Sequence, residues 1–136
     1  MKITYMIKND MTKDIISVES TASVNEAINL MVEKDIGSVV VTRDGKMVGI
    51  LTERDVLKKC CPQTQCAVMK VGDAMSSPLI TVDADAAIGQ AADLMAEKKI
   101  RRLLVTEGGE VQGIITERDV MRATLDVFKT LSEAFV

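Results

Sequence analysis

The spacing of apolar residues switches between two periods along this chain, and the switches come in the same order twice. A short apolar segment, Ile15 to Val18, precedes a stretch in which Val24, Ala27, Ile28, Met31 and Val32 recur at helical intervals. Leu79 to Val82 and then Ile88, Ala91, Ala92 and Met95 repeat the pattern. Ser23-x-x-Glu26 predicts a capping box at the start of the first helix, and Asp85 is the candidate cap of the second. Each helix is followed by two β-rich runs around a tight turn. In the first half these are Ser38 to Thr42, Asp44-Gly45 and Met47 to Leu51; in the second they are Arg102 to Thr106, Gly108-Gly109 and Val111 to Ile115. Asp-Gly and Gly-Gly suit the positive φ angles of a hairpin turn. Both hairpins run directly into Thr-Glu-Arg-Asp and a further helix.

Shifting the sequence by 64 positions aligns Val18–Lys58 with Val82–Arg122 without a gap, and 18 of the 41 pairs are identical. The chain is therefore read as two copies of a β-α-β-β-α unit, an α/β (α+β) fold. A lobe of this size buries only ~60% of the surface its unfolded chain exposes, so each copy is expected to need its twin. The expected arrangement packs the two sheet to sheet about a pseudo-twofold axis, with two equivalent clefts between them. Boundaries read in chain order are 7–60 and 71–123 for the copies, 61–70 for a linker and 124–136 for a helical tail.

Composition narrows the chemistry. The 136 residues include no histidine, which removes imidazole-based triads, imidazole metal ligands and the usual general base near neutral pH. The chain is expected not to be an enzyme and to need no cofactor. A net charge of −3, two phenylalanines and one tyrosine argue against nucleic-acid binding, since there is neither a general pull on phosphate nor material for base stacking. No apolar run is long enough to cross a bilayer, and the first ten residues lack the apolar block of a secretory signal. A cytoplasmic location without membrane association is expected.

Thr52-x-x-Asp55 and Thr116-x-x-Asp119 carry the candidate chemistry. An ionised carboxylate can accept from two vicinal hydroxyls, and such charge-assisted bonds are roughly twice as strong as neutral ones. The free N–H groups at the adjoining helix start form an anion site. The alternative is a plain helix cap worth ~1 kcal/mol, and the two roles are compatible because Thr can cap while Asp faces a cleft. Lys98, Lys99, Arg101 and Arg102 form the most basic stretch, against Lys34, Asp35, Gly37 and Ser38 in the first copy, so the two clefts are expected to differ electrostatically.

Gly49-Ile-Leu-Thr-Glu-Arg-Asp55 and Gly113-Ile-Ile-Thr-Glu-Arg-Asp119, each preceded by a hairpin, resemble a pair of cystathionine-β-synthase (CBS) domains, the Bateman module. Val71-x-x-x-Met75, Glu26-Ala27 with Leu30-Met31, and Ile100-Arg-Arg-Leu-Leu-Val105 agree with it. The resemblance implies a regulatory module binding AMP, ADP, ATP or S-adenosylmethionine in the inter-repeat clefts. It assigns the ribose hydroxyls to Asp55 and Asp119, with Thr52 and Thr116 near phosphate or sugar. It puts a phosphate near Arg102, with Arg101 beside it, and the adenine along Ile16 and Val18 or Ile80 and Val82, facing Ser38 and Val39. These apolar strand residues are also natural core. Arg118 and Arg54 either reach a phosphate or pair with Glu53 and Glu117. Leu104 stands where the family commonly has proline.

Cys60, Cys61 and Cys66 lie in or beside the linker and are read as ordinary thiols, since no fourth cysteine or histidine completes a zinc site. Beyond Asp119, Val120, Met121, Leu125, Phe128, Leu131 and Phe135 mark roughly one helical face, either covering the module's own edge or meeting a partner, with Tyr5 and Met6 able to join it. The expectation is a stand-alone homodimeric sensor of an adenosyl small molecule that acts in trans on an unidentified protein. The competing reading is a ligand-free scaffold.

Overall fold

The computed structural model describes residues 6–60, 68–77 and 79–134; Tyr5, Cys61, Cys66 and Phe135 lie outside them. Two units emerge, one formed by residues 15–79 and the other by residues 1–14 with 80–136.

In the first unit β1 (Ser17–Glu19) leads through α1 (Val24–Lys34) to β2 (Ser38–Arg43), then β3 (Lys46–Thr52) and α2 (Glu53–Asp55). A π-helical turn, Val56–Cys60, continues α2, and α3 (Val71–Ala74) closes the unit. Strand β2 is central, parallel to β1 and antiparallel to β3. The parallel pair needs a crossover, which α1 supplies. The second unit repeats this with β4 (Thr81–Asp83), α4 (Ile88–Lys98), β5 (Arg102–Glu107), β6 (Glu110–Thr116) and α5 (Glu117–Ala134), again with the middle strand central. The expected α/β class and β-α-β-β-α order are both present. Among the described residues no helix is long and apolar enough to cross a membrane.

Each core follows from the periodicities. Val24, Ala27 and Met31 of α1 meet Val39 and Val41 of β2 and Leu51 of β3; Ile88, Ala91 and Met95 meet Leu103, Val105 and Ile115. Ser23 caps α1 by accepting from Glu26 N–H at 3.1 Å. Asp85 does not cap α4. That helix starts two residues later than the sequence suggests, at Ile88, so the cap position falls on Ala87, whose N–H donates to Gln90 Oε1 at 2.9 Å. Asp85 instead pairs with Lys8 at 2.9 Å, and this hydrogen bond and charge raise the lysine pKa. The turns are as expected, with positive φ at Asp44, Gly45, Gly108 and Gly109.

The segment preceding each first strand is the main surprise. Residues 6–12 run along the second unit: Ile7 is fully buried in its core, and Thr12 exchanges backbone hydrogen bonds with Ile114 at 2.9 Å in each direction. Residues 70–76 do the same for the first, where Ser76 pairs with Ile50. This crossing explains the glycine that opens each motif. A Cβ on Gly49 would lie 2.8 Å from the Ser76 carbonyl oxygen, and one on Gly113 would lie 2.6 Å from that of Thr12.

Candidate functional site

Thr52 ends β3 opposite Ser38, and Thr116 ends β6 opposite Arg102, so the hairpin register sets each basic or hydroxyl residue beside a helix start. Backbone bonds fix the junctions: Glu53 N–H donates to the Gly37 carbonyl at 3.0 Å and Glu117 N–H to the Arg101 carbonyl at 2.8 Å.

Both Thr-x-x-Asp motifs form reciprocal caps. Asp55 N–H donates to Thr52 Oγ1 at 3.2 Å, while Asp55 Oδ2 accepts from Thr52 N–H at 3.0 Å and from Thr52 Oγ1–H at 3.1 Å. The second motif gives 3.2, 2.9 and 3.0 Å for the same three bonds. The side chains of Asp55 and Asp119 are each 10% exposed, so they stand in a largely desolvated environment where every lone pair matters.

The other oxygens differ. Asp55 Oδ1 accepts from Ser76 Oγ–H at 2.8 Å and lies 3.5 Å from Lys59 Nζ. The π-helical turn carries Lys59, whose ammonium also donates to the carbonyls of Ala74 at 3.1 Å and Met75 at 3.2 Å. Asp119 Oδ1 accepts no hydrogen bond from the described residues and has only Arg122 Nη1, at 3.9 Å. Since no sealed side-chain oxygen among the described residues lacks a partner, this atom retains access to solvent. Asp10 stands nearby; burial, then repulsion from Asp126 and Asp119, raises its carboxyl pKa, opposed by Arg122.

The remaining sequence-selected residues are dispersed in role. Ile16, Val18 and Val39 turn their side chains to the first core, and Ile80 and Val82 turn theirs to the second. The Ile16 and Ile80 carbonyls accept from Val40 N–H at 2.9 Å and Leu104 N–H at 3.1 Å. Ser38 and Arg102 are half-buried, and Arg102 is engaged within the chain. Glu117 pairs with Arg101 at 3.6 Å, both exposed, rather than with Arg118. Lys99 takes the left-handed conformation that ends α4, as Asp35 does for α1. Cys60 is buried beside Met69, and no metal-binding group of His, Cys, Asp or Glu occurs among the described residues. Ser76 and Lys59 escaped sequence reasoning; the one available signal was that Met75-Ser76 stands 64 residues after Met11-Thr12.

The CBS-domain family model matches residues 7–61 and 71–126, both copies of the repeat. The chain belongs to the CBS-domain family. An uncharacterized protein of Methanocaldococcus jannaschii is 36% identical over 95% of the chain, which spans only 34% of that relative's length. An uncharacterized conserved protein from Pyrococcus horikoshii superposes with a TM-score of 0.82 at 34% identity, covering 91% of this chain and 95% of that one. The hexameric CBS-CP12 protein from bloom-forming cyanobacteria gives a TM-score of 0.80 at 27% identity, covering 88% and 71%. The pair of CBS repeats is a regulatory module, and the match is to no catalytic family.

Proposed function

We propose that this CBS pair senses an adenosine-containing ligand, such as AMP, ADP, ATP or S-adenosylmethionine, and passes its occupancy to a protein partner in trans. The observation that supports this most directly is a carboxylate buried at a helix start with acceptor capacity to spare, Asp119, next to Thr116 and in register with Arg102. An ionised carboxylate can accept from two vicinal hydroxyls at once, through charge-assisted bonds stronger than neutral ones. The N–H groups at the start of α5 and the Arg102 guanidinium suit a phosphate. Ile80 and Val82 offer the adenine a strand edge. Regulation then requires the ligand to prefer one conformation of the module over another.

Thermal shift and calorimetry with ATP, ADP, AMP and S-adenosylmethionine test the reading. A ligand at a hundredfold over its Kd should add ~2.7 kcal/mol of stability. No shift with any of the four sinks it.

A second reading, self-association as the main task, draws on different surfaces. Met121, Leu125, Phe128 and Leu131 are exposed along one face of α5. Arg118, Arg122 and Lys129 border that stripe at helical spacing. In the first unit Ile28, Met31, Val32, Ile36, Val56 and Leu57 line an open apolar groove edged by Asp35 and Glu53. Two exposed apolar faces of this kind suit a homodimer. Sedimentation should find the parent dimeric and Leu125→Asp with Phe128→Asp monomeric. A monomeric parent removes this reading.

A further inference from the structure

The two Thr-x-x-Asp motifs match residue for residue, yet their carboxylates have different acceptor capacity. In each the Oδ2 atom is committed to the cap. What a ligand can use is Oδ1. At Asp55 that atom holds the Ser76 hydroxyl at 2.8 Å and faces the Lys59 ammonium at 3.5 Å. The corresponding second-copy positions, 64 residues away, are Thr12 and Ala123, and neither donates to Asp119. The π-helical turn after Asp55 holds Lys59 within reach of both the carboxylate and the Ala74 and Met75 carbonyls, whereas α5 runs on as regular helix from Asp119.

We infer that the module is functionally one-sided: Asp119 alone grips the sugar of the proposed ligand, and Asp55 is an internal tie that fastens the 75–76 segment to the end of β3. This rests on the adenosyl-binding reading and narrows it to one ligand per chain. For Asp55 Oδ1 to accept both hydroxyls of a ribose diol it must give up its charge-assisted bond to Ser76 and leave Lys59 less well paired, so at least one of the new bonds replaces one already present. Asp119 Oδ1 forms such bonds with none to surrender. Arg102 against Ser38 at the facing strand position tilts an anionic ligand the same way.

Calorimetric titration of the full chain with ATP, AMP and S-adenosylmethionine provides the test. The expected result is one site per chain, weakened a hundredfold or more by Asp119→Asn and changed less than threefold by Ser76→Ala or Lys59→Met. Two sites of similar affinity, or one that survives Asp119→Asn and is lost in Asp55→Asn, overturn the assignment while leaving adenosyl binding intact. No heat with any of the three probes overturns the underlying reading as well. Should an Asp variant fail to fold, carboxyl carbon shifts in the parent decide the matter: on addition of ATP the Asp119 resonance should move and the Asp55 resonance should not. Equal movement of both counts against the inference.

Discussion

The two repeats share their motif, their strand register and their crossing segment, and they diverge immediately after the motif. In the first, α2 lasts three residues and gives way to a π-helical turn; in the second, α5 continues for 18 residues. The first repeat uses its aspartate to tie its own parts together, while the second leaves one oxygen uncommitted and extends an apolar stripe along its helix. The frame is thus the same in both repeats while the surroundings of the two carboxylates differ. Identical side chains at identical backbone positions have different chemistry because residues outside the motif, Ser76 and Lys59 against Thr12 and Ala123, decide what the carboxylate touches.

The largest predicted effect tests what the repeats share. In Gly49→Ala and Gly113→Ala the new methyl group meets a backbone carbonyl at 2.8 and 2.6 Å, which the crossing segment cannot rotate away as a side chain would. Each variant should lose about 2–3 kcal/mol in urea unfolding, the cost of overpacking a site that cannot yield. A loss well below 1 kcal/mol at either position would show that the segment crosses there less closely. Smaller effects test the divergence. Ser76→Ala removes a hydrogen bond to a buried carboxylate and should cost about 1–2 kcal/mol. Thr12→Ala, on an exposed side chain that bonds nothing among the described residues, should fall within about 0.5 kcal/mol of the parent. Equal costs for the pair would erase the distinction drawn between the two aspartates.

Much of this was legible in the residues. The 64-residue repeat gave both copies, and the Asp-Gly and Gly-Gly turns fixed the hairpins because their positive φ angles favour those residues. The strands Ser17–Glu19 and Thr81–Asp83 begin two residues and end one residue later than the apolar segments that announced them, since pairing with the central strand rather than apolarity sets their ends. The start of α4 was misplaced because Asp85 is the obvious capping residue, yet Lys8 from the crossing segment claims it. That segment was the blind spot. Nothing in the periodicity of Ile7 to Thr12 says that these residues, adjacent in sequence to the first repeat, pack into the second. The same blindness hid Ser76 and Lys59, whose importance is purely spatial.

Asp10 offers the finest test of the asymmetry, because its counterpart 64 residues on is Ala74, a fully buried core residue. On the second unit this position instead carries a carboxyl whose pKa is raised, first by burial and then by Asp126 and Asp119, with Arg122 acting in the opposite sense. A carboxyl that binds its proton more tightly when folded contributes stability at acid pH, below its unfolded value, and that contribution disappears as pH rises through the folded value. At neutral pH the ionised group is a burden on the native state. Asp10→Asn should therefore raise the thermal midpoint modestly at pH 7 and lose the advantage as pH falls toward the carboxylate range. An advantage that persists unchanged at pH 3 would mean that the gain came from packing rather than from relief of charge around Asp119, and the electrostatic contrast between the repeats would have to be redrawn without Asp10.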